Sequence, residues 1–181
     1  MSKTSAVAAK ALTSNHFELF GLVPAFALDV ARLEAAYRDI QSKVHPDRFA
    51  QAGDAERRAS MQMTTRVNEA YRTLKSPVQR AKYLLEMNGV DVGFDTETAM
   101  PKDFLIEQLE LREKLEEAKD AASLDRISKD LNVEKQLLEK NIGEQIDIHH
   151  DFQGAKIPVR KLMFLERFGE DIDAAYESIE A

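Results

Sequence analysis

Apolar residues recur along this chain at helical spacings, interrupted at a few sharp points. Val30, Leu33, Tyr37, Ile40 and Val44 are separated by three or four residues each, one stripe of an amphipathic helix that the Asp29 carboxylate can cap. Ala59, Met63, Val67, Ala70 or Tyr71, and Leu74 repeat in the same way and predict a second helix, returning after the turn-forming Gly53-Asp54 with Asp54 as its cap. Between them Pro46 fixes its own φ and pushes His45 out of the helical region. The first helix must therefore end at about Val44, which leaves His45-Pro46-Asp47 near the tip of a helical hairpin.

Two shorter helices flank the hairpin. Residues 16–22 are apolar and are stopped by Gly21 and Pro24. Ser76-Pro77-Val78-Gln79 has the residue types of a capping box and opens a helix to about Met87, closed by Asn88-Gly89. Residues 90–100 have no clear period and contain Gly93, so they read as a domain linker. Beyond them Pro101 opens the first of three long helical patterns, at about 101–120, 124–150 with Ser123 as cap, and 156–180, the last two separated by Asp151-Phe152-Gln153-Gly154. Three helices with short connections make an antiparallel bundle. Its core stripes are Leu124, Ile127, Leu131, Leu138 and Ile142 in the middle helix and Leu162, Leu165, Ile172, Tyr176 and Ile179 in the last.

The expected fold is thus all-α, with a tail over 1–15, a helical hairpin domain with two shorter helices over 16–89, a linker over 90–100 and a three-helix bundle over 101–181. One helix carries more apolar surface than a bundle needs. At about 100° per residue, Phe104, Leu111, Leu115 and Ala118 share one narrow sector. Leu105, Ile106 and Leu109 lie roughly 100–200° away from Phe104. They form a second patch bordered by Arg112, Glu113 and Glu116, and Phe164 is similarly out of phase with the last helix's stripe. An apolar patch with a charged rim has the anatomy of an interface, although a bundle helix touching two neighbours also carries two apolar sectors.

Composition narrows the function classes. With 44% hydrophobic and 31% charged residues the chain is an ordinary helix-rich globular protein. The absence of cysteine excludes disulfides, thiolate catalysis and cysteine-ligated zinc, and fits a reducing compartment. Charge is unevenly placed: residues 16–89 hold 11 basic against 9 acidic side chains, whereas residues 90–181 hold 12 against 23. The second part would repel phosphate and the first is nearly neutral, so nucleic acid is not an expected partner. No apolar run reaches the 18 or so residues of a membrane span, and the N-terminus lacks a signal-peptide core.

Tyr37 with Val44-His45-Pro46-Asp47-Arg48-Phe49, followed by Asn68-Glu69-Ala70-Tyr71 and Leu74, resembles the J-domain, the ATPase-stimulating module of DnaJ-type co-chaperones. Residues 16–22 then correspond to its first helix. The segments Phe104-Leu105-Ile106-Glu107-Gln108-Leu109-Glu110-Leu111-Arg112-Glu113 and Val159-Arg160-Lys161-Leu162-Met163-Phe164-Leu165 resemble the signature segments of the HscB family, iron–sulfur-cluster co-chaperones that join a J-domain to a three-helix bundle. The likeness spans nearly all of the chain after Asn15.

The resemblance implies a co-chaperone, not an enzyme, without cofactor or metal. It would bind the cluster scaffold IscU through Leu105, Ile106, Leu109, Glu110, Arg112, Glu113 and Phe164. It would meet an HscA-type ATPase chaperone through His45, Pro46, Asp47 and the cations Arg38, Lys43 and Arg48. The bacterial cytoplasm is its implied location, ahead of the mitochondrial matrix. One departure stands out: Asp39 follows Arg38 where many J-domains have a further basic residue, so this face is less positive than theirs and fits a dedicated partner. The alternative is a J-domain co-chaperone serving a general DnaK-type chaperone and another client. An acid–base pair of His45 and Asp47 is a poor rival, since Pro46 stiffens the segment and no nucleophile motif accompanies it. Adjacent His149 and His150 point about 100° apart on a helix and cannot easily converge on a metal.

Overall fold

The computed structural model describes residues 14–45, 49, 53–93 and 100–180. Among these residues the chain is all-α, as the periodicities predict: α1 His16–Leu19, α2 Val30–Val44, α3 Asp54–Lys75, α4 Pro77–Met87, α5 Lys102–Glu117, α6 Ala121–Gly143 and α7 Phe152–Glu180. α6 continues as a π-helical segment, Glu144–Ile148. The chain packs as two compact units that divide between Tyr83 and Leu84, inside α4.

In the first unit α2 packs against α3, and α1 also packs on α3. Phe17, Leu33, Met63, Val67, Ala70 and Leu74 are buried, so both predicted stripes face inward over most of their length. Their outer ends do not: Val30 and Ala59 are exposed, and Ser60 takes the buried position beside Ala59. The Asp29 carboxylate caps α2 by accepting the Arg32 N–H at 3.1 Å. Gly53, not Asp54, is the N-cap of α3; Asp54 is the first helical residue, where its charge favours the helix N-terminus and it pairs with Arg57. Ser76 accepts the Gln79 N–H at 3.4 Å, and α4 ends with Gly89 at φ +75° and the Val90 N–H returning to the Leu85 carbonyl.

Two stretches expected to be loose are held. Asn15 and Glu18 form a capping box at α1, and the Ser14 carbonyl accepts from Arg66, so residues 14 and 15 belong to the folded unit while 1–13 lie outside the described residues. Within the expected linker, Val90 and Val92 are only 4% and 0% exposed, with exposed Asp91 between them. That alternation is the period of an extended segment with one face covered, and three residues are too few for it to register as a pattern. Residues 94–99 of the same stretch lie outside the described residues.

In the second unit α6 and α7 pack along their lengths and α5 packs on both. Ile127, Leu131, Leu165, Phe168 and Ile172 form the buried cluster, with Leu111, Leu115, Ala118, Leu138 and Tyr176 partly buried against it. Ile179, placed in the stripe from sequence, is exposed. Asp120, not Ser123, caps α6 by accepting the Ser123 N–H at 2.7 Å; the Ser123 hydroxyl and, after it, this backbone bond hold its carboxyl below the usual range. The break expected at residues 151–154 falls instead at 149–151, with His150 at φ +52°, and residues 152–154 are the start of α7. The Asp151 carboxylate accepts the Gly154 N–H at 2.8 Å. Gly154 therefore serves the cap of α7 and not a turn. Pro158 lies inside α7 and leaves the Gly154 carbonyl without its usual helical donor.

Candidate functional sites

The first site is the end of α2. Val44 is the last helical residue, and His45 leaves at φ −57°, ψ +131°, as the following proline demands. Like other carbonyls of a last helical turn, that of Val44 needs a donor from outside the helix, and α3 supplies it: Ser60 Oγ donates to it at 2.7 Å, while the Thr64 hydroxyl lies 3.2 Å from it and 2.9 Å from the Ser60 carbonyl, to which it donates. The Ser60 hydroxyl, with that of Thr64 one turn on within reach of the same carbonyl, thus fixes the point from which exposed His45 departs. Pro46, Asp47 and Arg48 lie outside the described residues.

Upstream, the hairpin is locked by the residues that carried the likeness to J-domains. The Tyr37 and Tyr71 rings stack with centroids 4.1 Å apart. The Tyr37 hydroxyl donates to Asn68 Oδ1 at 2.9 Å and accepts from Gln41 Nε2 at 3.0 Å. Ala70 is fully buried between these polar anchors in sequence, so Asn68-Glu69-Ala70-Tyr71 is a hairpin clasp. Of the described cations on the solvent side, Lys43 pairs with Asp39 at 2.7 Å and Arg38 lies 3.9 Å from Glu34. Lys75 donates to the Tyr71 hydroxyl and to Glu34, which raises its pKa.

The second site is on α5. Phe104 is buried in the bundle, whereas Leu105, Ile106 and Leu109 are 50%, 56% and 59% exposed, among exposed Glu110, Arg112 and Glu113. The second apolar sector is therefore surface. Phe164 differs from the three aliphatics. It is half-buried, edge-on to Phe104 at 5.6 Å and stacked near Phe168 at 6.1 Å, with the Arg112 guanidinium 6.0 Å above its ring. Phe164 is where the patch and the core meet.

Sequence periodicity did not single out Ser60, Thr64, Lys161 or Glu134. Lys161 lies 4.7 Å over the Phe104 ring, and the half-buried Glu134 has its pKa raised by burial and by Glu107, with Lys161 opposing. Only residue type could have pointed to the hydroxyls: Ser60 and Thr64 sit at helical spacing on the apolar side of α3, where a buried polar group demands a partner. Nothing in the sequence pairs Glu134 with Glu107. Among the described residues no cluster of three or more His, Asp or Glu is placed to hold a metal ion, and no helix is long and apolar enough to cross a membrane.

Comparison with known proteins matches both units. Residues 15–83 match the DnaJ domain, and residues 100–173 match the HSCB C-terminal oligomerisation domain. A curated co-chaperone protein HscB homolog from Burkholderia thailandensis is 49% identical over 172 residues, 93% of this chain and 98% of the relative. The chain belongs to the HscB co-chaperone family. Solved HscB structures agree with this fold. HscB from Vibrio cholerae superposes with a TM-score of 0.81 at 32% identity, over 92% of this chain and 99% of that one. Human co-chaperone HscB gives 0.86 at 32% identity, over 91% and 83%. Its DnaJ-type domain makes this HscB-family chain a J-domain co-chaperone.

Proposed function

We propose that this protein captures an IscU-type iron–sulfur scaffold on Leu105, Ile106 and Leu109 of α5, flanked by Glu110, Arg112, Glu113 and Phe164. It then delivers that client to an HscA-type ATPase chaperone. The observation that carries the reading is the exposure of three large aliphatic residues on a helix whose core stripe is already satisfied by Phe104, Leu111 and Leu115. Such surface is stabilised when a partner removes it from water, and binding energy at such patches concentrates in a few apolar anchors. At the other site, the His45-Pro46-Asp47 segment engages the chaperone and triggers ATP hydrolysis, with Arg38, Lys43 and Arg48 drawing in an acidic surface. The protein itself performs no chemistry in this scheme and needs no cofactor. Membership of the HscB family supports the pairing of these two roles in one chain.

A steady-state ATPase assay of an HscA-type chaperone, with this protein and IscU added singly and together, tests the proposal. Together they should stimulate turnover more than the product of their separate effects. Stimulation by this protein that IscU leaves unchanged would remove the client role, and no stimulation at all would remove the chaperone role.

A further inference from the structure

Each described cation on the solvent face of α2 that was assigned to the chaperone has an acidic neighbour one turn upstream. The two pairs are not alike. Lys43 Nζ lies 2.7 Å from Asp39 Oδ2, with side chains 62% and 60% exposed. Arg38 is 3.9 Å from one oxygen of Glu34, whose other oxygen accepts from Lys75 at 3.2 Å. Glu34 is thus drawn toward α3 and holds Arg38 loosely, while Asp39 is committed to Lys43. An acid four residues before a lysine on a helix is the favourable order for such a pair.

Resting on the chaperone role above, we propose that Asp39 is an internal competitor for the chaperone's acidic surface: it occupies the Lys43 ammonium in the unbound protein and yields it only on docking. At a separation near the Debye length, about 8–10 Å, an approaching carboxylate meets a nearly neutral Asp39–Lys43 pair and a positive Arg38. Capture from a distance then falls to Arg38, and Lys43 contributes only to a partner acidic enough to displace Asp39. A weakly acidic surface is held less well, so Asp39 selects among chaperones by trading affinity for discrimination.

The test uses the full chain and the ATPase of an HscA-type chaperone. Asp39→Asn removes the charge while keeping the side-chain shape, and its half-maximal concentration for stimulation is measured at low and high salt, with Lys43 present and with Lys43→Ala. At low salt that concentration should fall about two- to fivefold, the size of an exposed ion pair, with maximal stimulation unchanged. The gain should fade at high salt and be nearly lost in the Lys43→Ala background. Asp39→Ala, a better helix former, should reproduce it and guards against an effect of local unfolding. An unchanged half-maximal concentration would overturn the competitor role. So would an equal gain in the Lys43→Ala background, because Asp39 would then act on the partner directly. A wild-type protein that does not stimulate at all would remove the chaperone role, and this inference with it.

Discussion

The hydroxyl of Ser60 donates to the carbonyl of Val44 across 2.7 Å, joining the third helix to the last residue of the second. This bond closes a helix end that the following His45-Pro46 segment cannot close for itself, and it sets where that segment begins. The Thr64 hydroxyl donates to the Ser60 carbonyl at 2.9 Å and lies 3.2 Å from that of Val44, close enough to turn to it when Ser60 is removed.

Ser60→Ala should cost about 1 kcal/mol, because the Thr64 hydroxyl can turn from the backbone carbonyl of residue 60 to that of Val44. Ser60→Ala combined with Thr64→Val should cost about 2–3 kcal/mol, since the acceptor is then left without either donor. A urea melt reads both. If stimulation of a chaperone ATPase depends on how His45 is presented, the double variant should also need a higher concentration for half-maximal effect. Unaltered stability in the double variant would mean that the two hydroxyls do not anchor the end of α2.

His45→Gln and Asp47→Asn should each abolish ATPase stimulation. His45 is exposed at the end of α2, so its replacement removes little packing and the melting temperature should stay within a degree or two. Circular dichroism melts alongside the ATPase assay separate the two effects. A folded Asp47→Asn protein that still stimulates would contradict the role given to this segment.

The patch on α5 divides into two kinds of residue. Leu105→Ala with Leu109→Ala should leave the melt nearly unchanged, since both side chains are already half in water, and should lose the IscU scaffold. Phe164→Ala should do both kinds of harm, weakening scaffold binding and lowering stability by about 1–3 kcal/mol, because it gives up ring contacts with Phe104 and Phe168. Isothermal titration with IscU and a thermal melt on the same samples check this. A collapse of the Leu105/Leu109 variant would return those residues to the core.

Glu134 predicts a pH effect. Burial and the neighbouring Glu107 raise its pKa above the ordinary 4.5, with Lys161 only partly offsetting them, so folding favours its protonated form. The stability tied to that proton is fully present below the unfolded value and is lost as pH rises through the folded one. Glu134→Gln should therefore raise the melting temperature at pH 7, with the gain shrinking toward pH 4. A gain that does not vary with pH would mean that the charge of Glu134 is already well solvated.

Much of this molecule is local physics and was legible without a fold. Pro46 dictates that α2 ends at Val44, Asp29 and Ser76 dictate two helix starts, and the 3,4 spacing dictates which faces of α2, α3, α6 and α7 turn inward, because each of these depends on residues within one or two turns. The likeness of residues 37–49 and 68–74 to a J-domain was readable for the same reason, and Tyr37, Asn68 and Tyr71 prove to be the clasp of the hairpin. What periodicity could not decide was whether a second apolar sector is core or surface. Leu105 and Phe164 are both out of phase with their stripes, yet one is half in water and the other wedged beside two buried rings. Burial depends on what the neighbouring helix brings to that side, and residues far away in sequence supply it. The same holds for Ser60, sixteen residues from the carbonyl it satisfies, and for Val90 and Val92. A pattern along the chain states which side chains avoid water; only the packed chain decides which of them succeed, and the ones that fail are the surface left for a partner.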